Sequence, residues 1–177
     1  MMSTKSTLQV GLEAAVTDCR TATLNVSDAV FFDNSNGKWS IGENLIHLVM
    51  VAKRFGSVFR MPKEQIANFG LATRPSRSFD GILAAYMESL KGLAVAPKPF
   101  VAMQTADDTR TSVVERYNNA HSILATSFMT FSEEELDKYQ VSHPLLGLMT
   151  MREMMDFIVF HIGHHQRAIE RITARES

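Results

Sequence analysis

Two histidines near the C-terminus have a spacing that suits metal binding. The segment His161-Ile162-Gly163-His164-His165 lies in a stretch whose apolar periodicity predicts a helix. Because residues four apart stack on one face of a helix, His161 and His165 can direct both imidazoles toward one divalent ion. On a helical wheel His165 lies within the apolar stripe and His161 at its edge, whereas His164 lies further round, toward water or a partner.

The histidine pair has an ordinary alternative, in which two helix histidines simply make hydrogen bonds. Residue 162 is isoleucine, so the His-Glu-x-x-His motif of the zincin peptidases is absent. Buried imidazoles nevertheless need partners, because an unpaired buried polar group costs free energy. A single metal ion would satisfy both rings at once, and neutral imidazole nitrogen suits zinc, nickel, copper and iron.

A third ligand has to come from another part of the chain, and three histidines are candidates. Helical periodicity slightly favours His121, which lies near the apolar stripe of its predicted helix. His47 lies at the flank of the apolar stripe of an earlier helix, and His143 is a weaker candidate that directly precedes a proline. Taken in isolation, His47 or His121 is more simply interpreted as a lone interfacial histidine.

Three further side chains could support such a site. Asn44 lies one turn before His47 and Gln166 directly follows His165, so either amide could orient a ligand imidazole. Arg54 lies on the same flank as His47 and could bind an anionic substrate. For all three, a solvated or salt-bridged surface side chain is the simpler interpretation.

Four long helices are needed to position these residues, and apolar residues at helical spacing predict them. Two of the helices begin with the Ser/Thr-x-x-Glu pattern of a capping box, at Ser40 and at Thr150. The predicted helices span residues 5–32, 40–61, 109–131, and 150 to near the C-terminus.

The middle connection, residues 62–108, is the least defined part of the chain. We expect Asp80 to cap a short extra helix that ends near Gly92. An extended stretch around Pro97 and Pro99 should follow it, because proline disfavours helix interiors.

Composition limits the classes of function. The chain has 177 residues with a formal net charge of -1, so there is no basic excess for nucleic-acid binding. No run is apolar and long enough for a membrane span, and the first residues do not form a signal peptide. We therefore expect one cytoplasmic domain over residues 1–177, with no nucleic-acid or membrane partner.

Two segments of the chain resemble the DinB/YfiT-like family of metalloenzymes. Residues 39–48, from Trp39 to Leu48, are similar to the start of the family's second helix and its first metal histidine. Residues 143–147 and 157–166, with Thr150 between them, are similar to the segment leading into the family's last helix, which carries two histidines four apart.

The resemblance implies an all-α fold, an up-down-down-up four-helix bundle that is often a homodimer. It also implies that His47, rather than His121, joins His161 and His165 as a metal ligand. The resemblance further suggests a thiol-dependent transferase or isomerase activity that uses a low-molecular-weight thiol.

Together these observations predict a metal-dependent enzyme, a thiol-dependent transferase or hydrolase acting on a small molecule. A three-histidine site leaves a coordination position open, and zinc or nickel is the favoured ion. The alternative is a metal-binding, ligand-binding or dimerising helical bundle without catalytic activity.

Overall fold

Four long helices form the framework of the fold. The structure is a computed structural model that describes residues 3–91 and 100–175. Shorter elements fill the connections between the long helices. In chain order the elements are α1 (Lys5–Thr21), α2 (Asp28–Phe32), α3 (Ile41–Phe59), α4 (Lys63–Ala67), α5 (Phe79–Ser89), α6 (Arg110–Phe128), α7 (Glu133–Lys138), β1 (Gln140–His143), β2 (Gly147–Thr150) and α8 (Met151–Thr173).

The directions of the long helices confirm the up-down-down-up bundle. Ser3, just before α1, donates a hydrogen bond to Asp156 near the start of α8, so these two helices run parallel. Helices α3 and α6 also run parallel, since Phe59 near the end of α3 packs against the Phe128 ring at the end of α6. Helix α3 runs antiparallel to α8, which brings His47 opposite the second half of α8.

Both predicted capping boxes are present, and they fix the starts of the two helices that carry the candidate histidines. The Ser40 hydroxyl accepts from the Glu43 backbone N–H while the Glu43 carboxylate accepts from the Ser40 N–H. Thr150 and Glu153 form the same reciprocal pair at the start of α8. Each box satisfies backbone donors that have no partner within the helix.

The prediction of one continuous helix over residues 5–32 is wrong, because α1 ends at Thr21 and α2 begins at Asp28. Two features explain the break, one local and one distant in sequence. The Ser27 hydroxyl caps α2 by accepting from the Val30 N–H. The guanidinium of Arg110 donates hydrogen bonds to backbone carbonyls between the helices, at Thr23, Leu24 and Val26.

The middle connection also differs from its prediction. Ser78, rather than Asp80, caps α5 by accepting from the Gly81 N–H, and α5 ends at Ser89. A further helix, α4, precedes it. The predicted helix end near Gly92 and the predicted extended stretch around Pro97 and Pro99 lie outside the described residues.

Residues 140–150 form an antiparallel hairpin that the sequence did not predict, because each strand has only four residues. Gly147 occupies the left-handed region at φ 66° after the turn, a conformation that favours glycine. The hairpin leads directly into α8. None of the described helices combines the length and the apolar content needed to cross a membrane.

Candidate metal centre

Helices α3 and α8 bring three imidazoles to one point in the bundle. His161 and His165 lie one turn apart on the inner face of α8, and His47 faces them from α3. The Nε2 atom of His161 lies 3.4 Å from Nε2 of His47 and 3.2 Å from Nε2 of His165. All three rings are buried, with exposed fractions of 4%, 5% and 7% for His47, His161 and His165.

The outer nitrogen of His47 is bound by the backbone. Its Nδ1 lies 2.8 Å from the carbonyl oxygen of Phe100. A carbonyl only accepts hydrogen bonds, so Nδ1 carries the proton and Nε2 presents a lone pair to the cluster. This is the arrangement in which a carbonyl orients a metal-ligating histidine.

Asn44 holds His165 in the same way. The Asn44 Oδ1 lies 2.7 Å from Nδ1 of His165, and the Asn44 amide nitrogen lies 2.8 Å from the carbonyl of Ser40. The second contact requires the amide NH₂ to point at Ser40, which leaves Oδ1 as the acceptor for His165. The Nε2 of His165 is therefore also unprotonated and directed into the cluster.

Burial keeps the three imidazoles neutral. Desolvation lowers the pKa of His47, and it lowers the pKa values of His161 and His165 well below the ordinary histidine value. Mutual repulsion of the rings adds to the effect at His161 and His165. Neutral imidazole is the form that ligates metal ions.

The three nitrogens suit a divalent ion as a donor set. The protein holds the protons of His47 and His165 on their outer nitrogens, so two lone pairs converge on Nε2 of His161. Two nitrogen ligands at about 2.0–2.1 Å from a tetrahedral zinc ion lie about 3.3 Å apart. The observed separations of 3.2 and 3.4 Å agree with that value. His161 has no partner for its buried Nδ1 among the described residues.

The cluster opens into a cleft of about 630 Å³. The Trp39 ring packs over His47 at 4.9 Å and over His165 at 5.9 Å between centroids. Further out, apolar side chains dominate the walls. They include Val51, Phe55, Tyr86, Leu90, Phe100, Leu145 and Phe157.

Two of the alternative third ligands lie away from the cluster. His121 is buried on α6, where its Nδ1 lies 2.8 Å from the carbonyl of Tyr117 and burial lowers its pKa to about 4. His143 lines the cleft at the end of β1, and burial lowers its pKa to about 4 as well. His164 is half-buried and also lines the cleft. None of the three belongs to the convergent group.

Two predicted support residues lie apart from the cluster. The Gln166 amide donates to Glu170 at 2.9 Å, one turn along α8, instead of to a ligand imidazole. Arg54 is exposed on α3 and does not line the cleft. The expectations for these two residues are therefore corrected, because the helix directs both side chains away from the bundle interior.

The sequence reasoning missed two groups at the site. The Phe100 carbonyl left no signal, because any residue supplies a backbone carbonyl. Tyr86 of α5 packs its ring edge against His161 at 6.2 Å between centroids. Its helix lies in the middle connection, where no motif pointed to the cleft.

Proteins with this architecture build metal sites in the interior of a four-helix bundle, from side chains on facing helices. Here three imidazoles converge in the same way beside an open cleft. The sequence matches the DinB superfamily over residues 11–169, and the chain belongs to this family. The resemblance seen in the sequence is thereby confirmed.

A solved structure shares the fold. It is YfiT from Bacillus subtilis, described as a probable metal-dependent hydrolase with an unusual four-helix bundle topology. The two chains are 18% identical, with a TM-score of 0.64, and the match covers 97% of this chain and 87% of YfiT. No curated protein matches the chain in sequence.

Proposed function

We propose that His47, His161 and His165 bind one divalent metal ion, with zinc or nickel the best fit, and that the chain is a metal-dependent enzyme. The observation that carries the proposal is the convergence of three Nε2 atoms while Phe100 and Asn44 hold the outer nitrogens of two rings. The description of YfiT as a probable metal-dependent hydrolase supports the same class.

The surroundings favour a catalytic site over a structural one. Structural zinc sites are closed by four protein ligands, whereas catalytic sites have three and leave one position open. Here three histidines face a cleft that a small molecule can enter. A bound divalent ion would supply Lewis acidity, which favours the deprotonated form of a water or a thiol.

The charge of the cleft favours thiol chemistry over hydrolysis. Among the described residues that line it there is no aspartate or glutamate, and Lys38 at the rim is the only permanent charge. Three neutral ligands leave both positive charges of a divalent ion uncompensated, so the open position attracts an anion such as a thiolate. A carboxylate general base, of the kind that assists many metal-dependent hydrolyses, is absent from these residues.

We therefore favour a thiol-dependent transferase that joins a small thiol to an electrophile. In this reaction the chain's own residues orient and desolvate the reactants. Phe100 and Asn44 fix the imidazoles, and the rings of Trp39, Phe55 and Phe157 exclude water from the inner cleft. Desolvation strengthens the electrostatic attraction between the site and a thiolate.

Metal analysis of purified protein tests the site. We expect one ion per chain in the wild type and loss of that ion in His165→Ala. His164→Ala is the matched control, since it removes an imidazole from the same helix that packs beside His165 but is not one of the three convergent ligands, and it should retain the ion. A His165→Ala protein with undiminished metal content would contradict the proposal.

Turnover assays test the reaction. We expect metal-loaded protein to catalyse thiol consumption by an aryl halide faster than it cleaves a nitrophenyl ester. Ester cleavage without thiol dependence would instead assign a hydrolase. A metal-loaded protein that does neither would be a binding bundle without catalysis.

A further inference from the structure

His143 has a hydrogen-bonding pattern that fixes the position of its ring proton. Its Nδ1 lies 3.2 Å from the backbone nitrogens of both Leu145 and Leu146, which donate to it. Because both partners are donors, Nδ1 is the unprotonated nitrogen and Nε2 carries the proton. The hairpin turn therefore holds His143 as a neutral imidazole with one N–H available elsewhere.

That N–H belongs to a residue that lines the same cleft as the histidine cluster. The His143 ring is 6% exposed and packs between Phe157, at 4.7 Å, and Phe55, at 6.1 Å. Its Nε2 has no hydrogen-bond partner among the described residues. Because this Nε2 is not a fully buried atom, it is accessible from the cleft and can donate to an acceptor on a small molecule that enters the cleft.

One aromatic ring separates His143 from the cluster. The Phe157 ring stacks on His161 at 5.2 Å and makes an edge-to-face contact with His143 at 4.7 Å between centroids. Val51, Phe55 and Leu145 also line this part of the cleft. A molecule that reaches from the cluster to His143 would therefore pass along an apolar surface.

We propose that His143 Nε2–H donates a hydrogen bond to the end of the substrate remote from the three-histidine cluster. The substrate is then a small molecule with a metal-seeking group at one end, an apolar middle, and a hydrogen-bond acceptor such as a carboxylate or carbonyl at the other. The part of this assignment that concerns the metal-seeking end rests on the proposed function, whereas the part that concerns His143 does not. His143 acts here as a specificity residue and takes no part in bond making.

Calorimetric titration of zinc-loaded protein with simple thiols tests the assignment. The probes are mercaptopropionate, mercaptobutyrate and mercaptohexanoate, each compared with the alkanethiol of equal chain length. We expect one chain length at which the carboxylate tightens binding about tenfold or more, the range expected for a hydrogen bond to a charged acceptor.

Two substitutions separate substrate recognition from the role of His143 in the turn. In His143→Asn the side-chain oxygen can still accept from the turn N–H groups, as in an Asx turn, but the distal donor is lost. In His143→Gln the longer amide can replace the distal donor while the turn loses its acceptor. We expect the Asn variant to bind acid and alkanethiol equally and the Gln variant to retain the preference.

The outcomes distinguish this assignment from the metal proposal. Wild-type protein that binds no zinc would overturn both, since neither probe could then be anchored. Zinc-loaded protein that binds the thiols without preferring an acid, or a His143→Asn variant that keeps the preference, would overturn the role of His143 alone. In the latter case Lys38 at the rim would account for the acid.

Discussion

The two halves of α8 differ in the partners that surround their buried polar side chains. In the first turn, the Glu153 side chain is fully buried, yet its carboxylate accepts hydrogen bonds from Arg74, Arg77 and the Thr150 backbone. Further along, His161 and His165 are also buried, but their inner nitrogens contact other imidazoles. The chain thus supplies protein partners for Glu153 and leaves the inner nitrogens of the histidines available to the proposed metal ion.

The Glu153 cluster at the start of α8 therefore serves stability, whereas the histidine cluster is the proposed metal site. Arg152, beside Glu153, is bound by Asp137, by the Glu133 carboxylate and by the backbone carbonyls of Ser3 and Glu133. These contacts tie α7 and the N-terminal segment to the start of α8. Within the described part of the chain, no comparable set of protein partners surrounds the inner nitrogens of the histidines. Removing the His47 or the His165 ring costs the fold one hydrogen bond at the outer nitrogen, to Phe100 or to Asn44.

The largest effect on stability should come from Glu153→Ala. The substitution leaves two guanidinium groups and the Thr150 N–H without their shared acceptor. Breaking a fully buried ion pair typically costs about 3–5 kcal/mol, and because the Arg74 and Arg77 side chains are 40% and 27% exposed we expect about 2–3 kcal/mol here. Denaturant unfolding measures the loss. Glu134→Ala, an exposed glutamate in a first turn, is the control and should change stability by less than about 0.5 kcal/mol. Equal losses of unfolding free energy in the two variants would contradict the stabilising role of Glu153.

Acid should lower the free energy of unfolding, because it protonates Glu153 in the first half of α8. Burial alone would raise the pKa of Glu153, but hydrogen bonds from Arg74 and Arg77 outweigh it and lower the pKa to about 2. A depressed folded-state pKa means that the contribution is complete above the unfolded value near 4.5 and is lost as pH falls toward 2. The expected loss is about 2–3 kcal/mol.

Comparison of the wild type with Glu153→Gln isolates this contribution. The glutamine variant cannot titrate at this position, so its deficit in unfolding free energy should be constant above pH 4.5 and shrink at lower pH. Other carboxylates affect both proteins alike. A deficit that stayed constant into strong acid would show that the Glu153 charge does not stabilise the fold.

Sequence patterns predicted the framework well and the connections poorly. Capping boxes at Ser40 and Thr150 are local signals, and both helix starts were found correctly. The break after Thr21 has a local cause, the Ser27 cap of α2, and a distant one, the Arg110 guanidinium that binds the freed carbonyls. No local pattern predicts the contact with Arg110.

The same limit applies at the candidate site. Spacing and wheel position identified His161 and His165, but the wheel slightly favoured His121 over His47 as the third residue. Both are buried on inner faces, and only the antiparallel packing of α3 against α8 brings His47 to the cluster. Periodicity shows that a face is buried, not which helix it meets.

A smaller effect, on metal affinity, should come from replacing Asn44. This substitution tests whether the orientation of His165 depends on a single protein partner. In Asn44→Leu the Nδ1–H of His165 loses its acceptor, so the ring loses its fixed orientation and some of its basicity. Such substitutions typically weaken metal binding by about 10–100-fold. Competition with a chromophoric zinc chelator measures the change. Asn44→Asp retains an acceptor and should restore most of the affinity.

Gln166→Leu is the matched control for Asn44, because it removes an amide beside His165 that binds only Glu170. Zinc affinity should stay within about twofold of the wild type, since a surface pair of this kind contributes at most about 0.5 kcal/mol. Adjacency in sequence would make Gln166 the better candidate, whereas the geometry selects Asn44, which is 121 residues away from His165. Equal losses from the two substitutions would mean that general packing near α8, rather than one oriented hydrogen bond, sets the affinity.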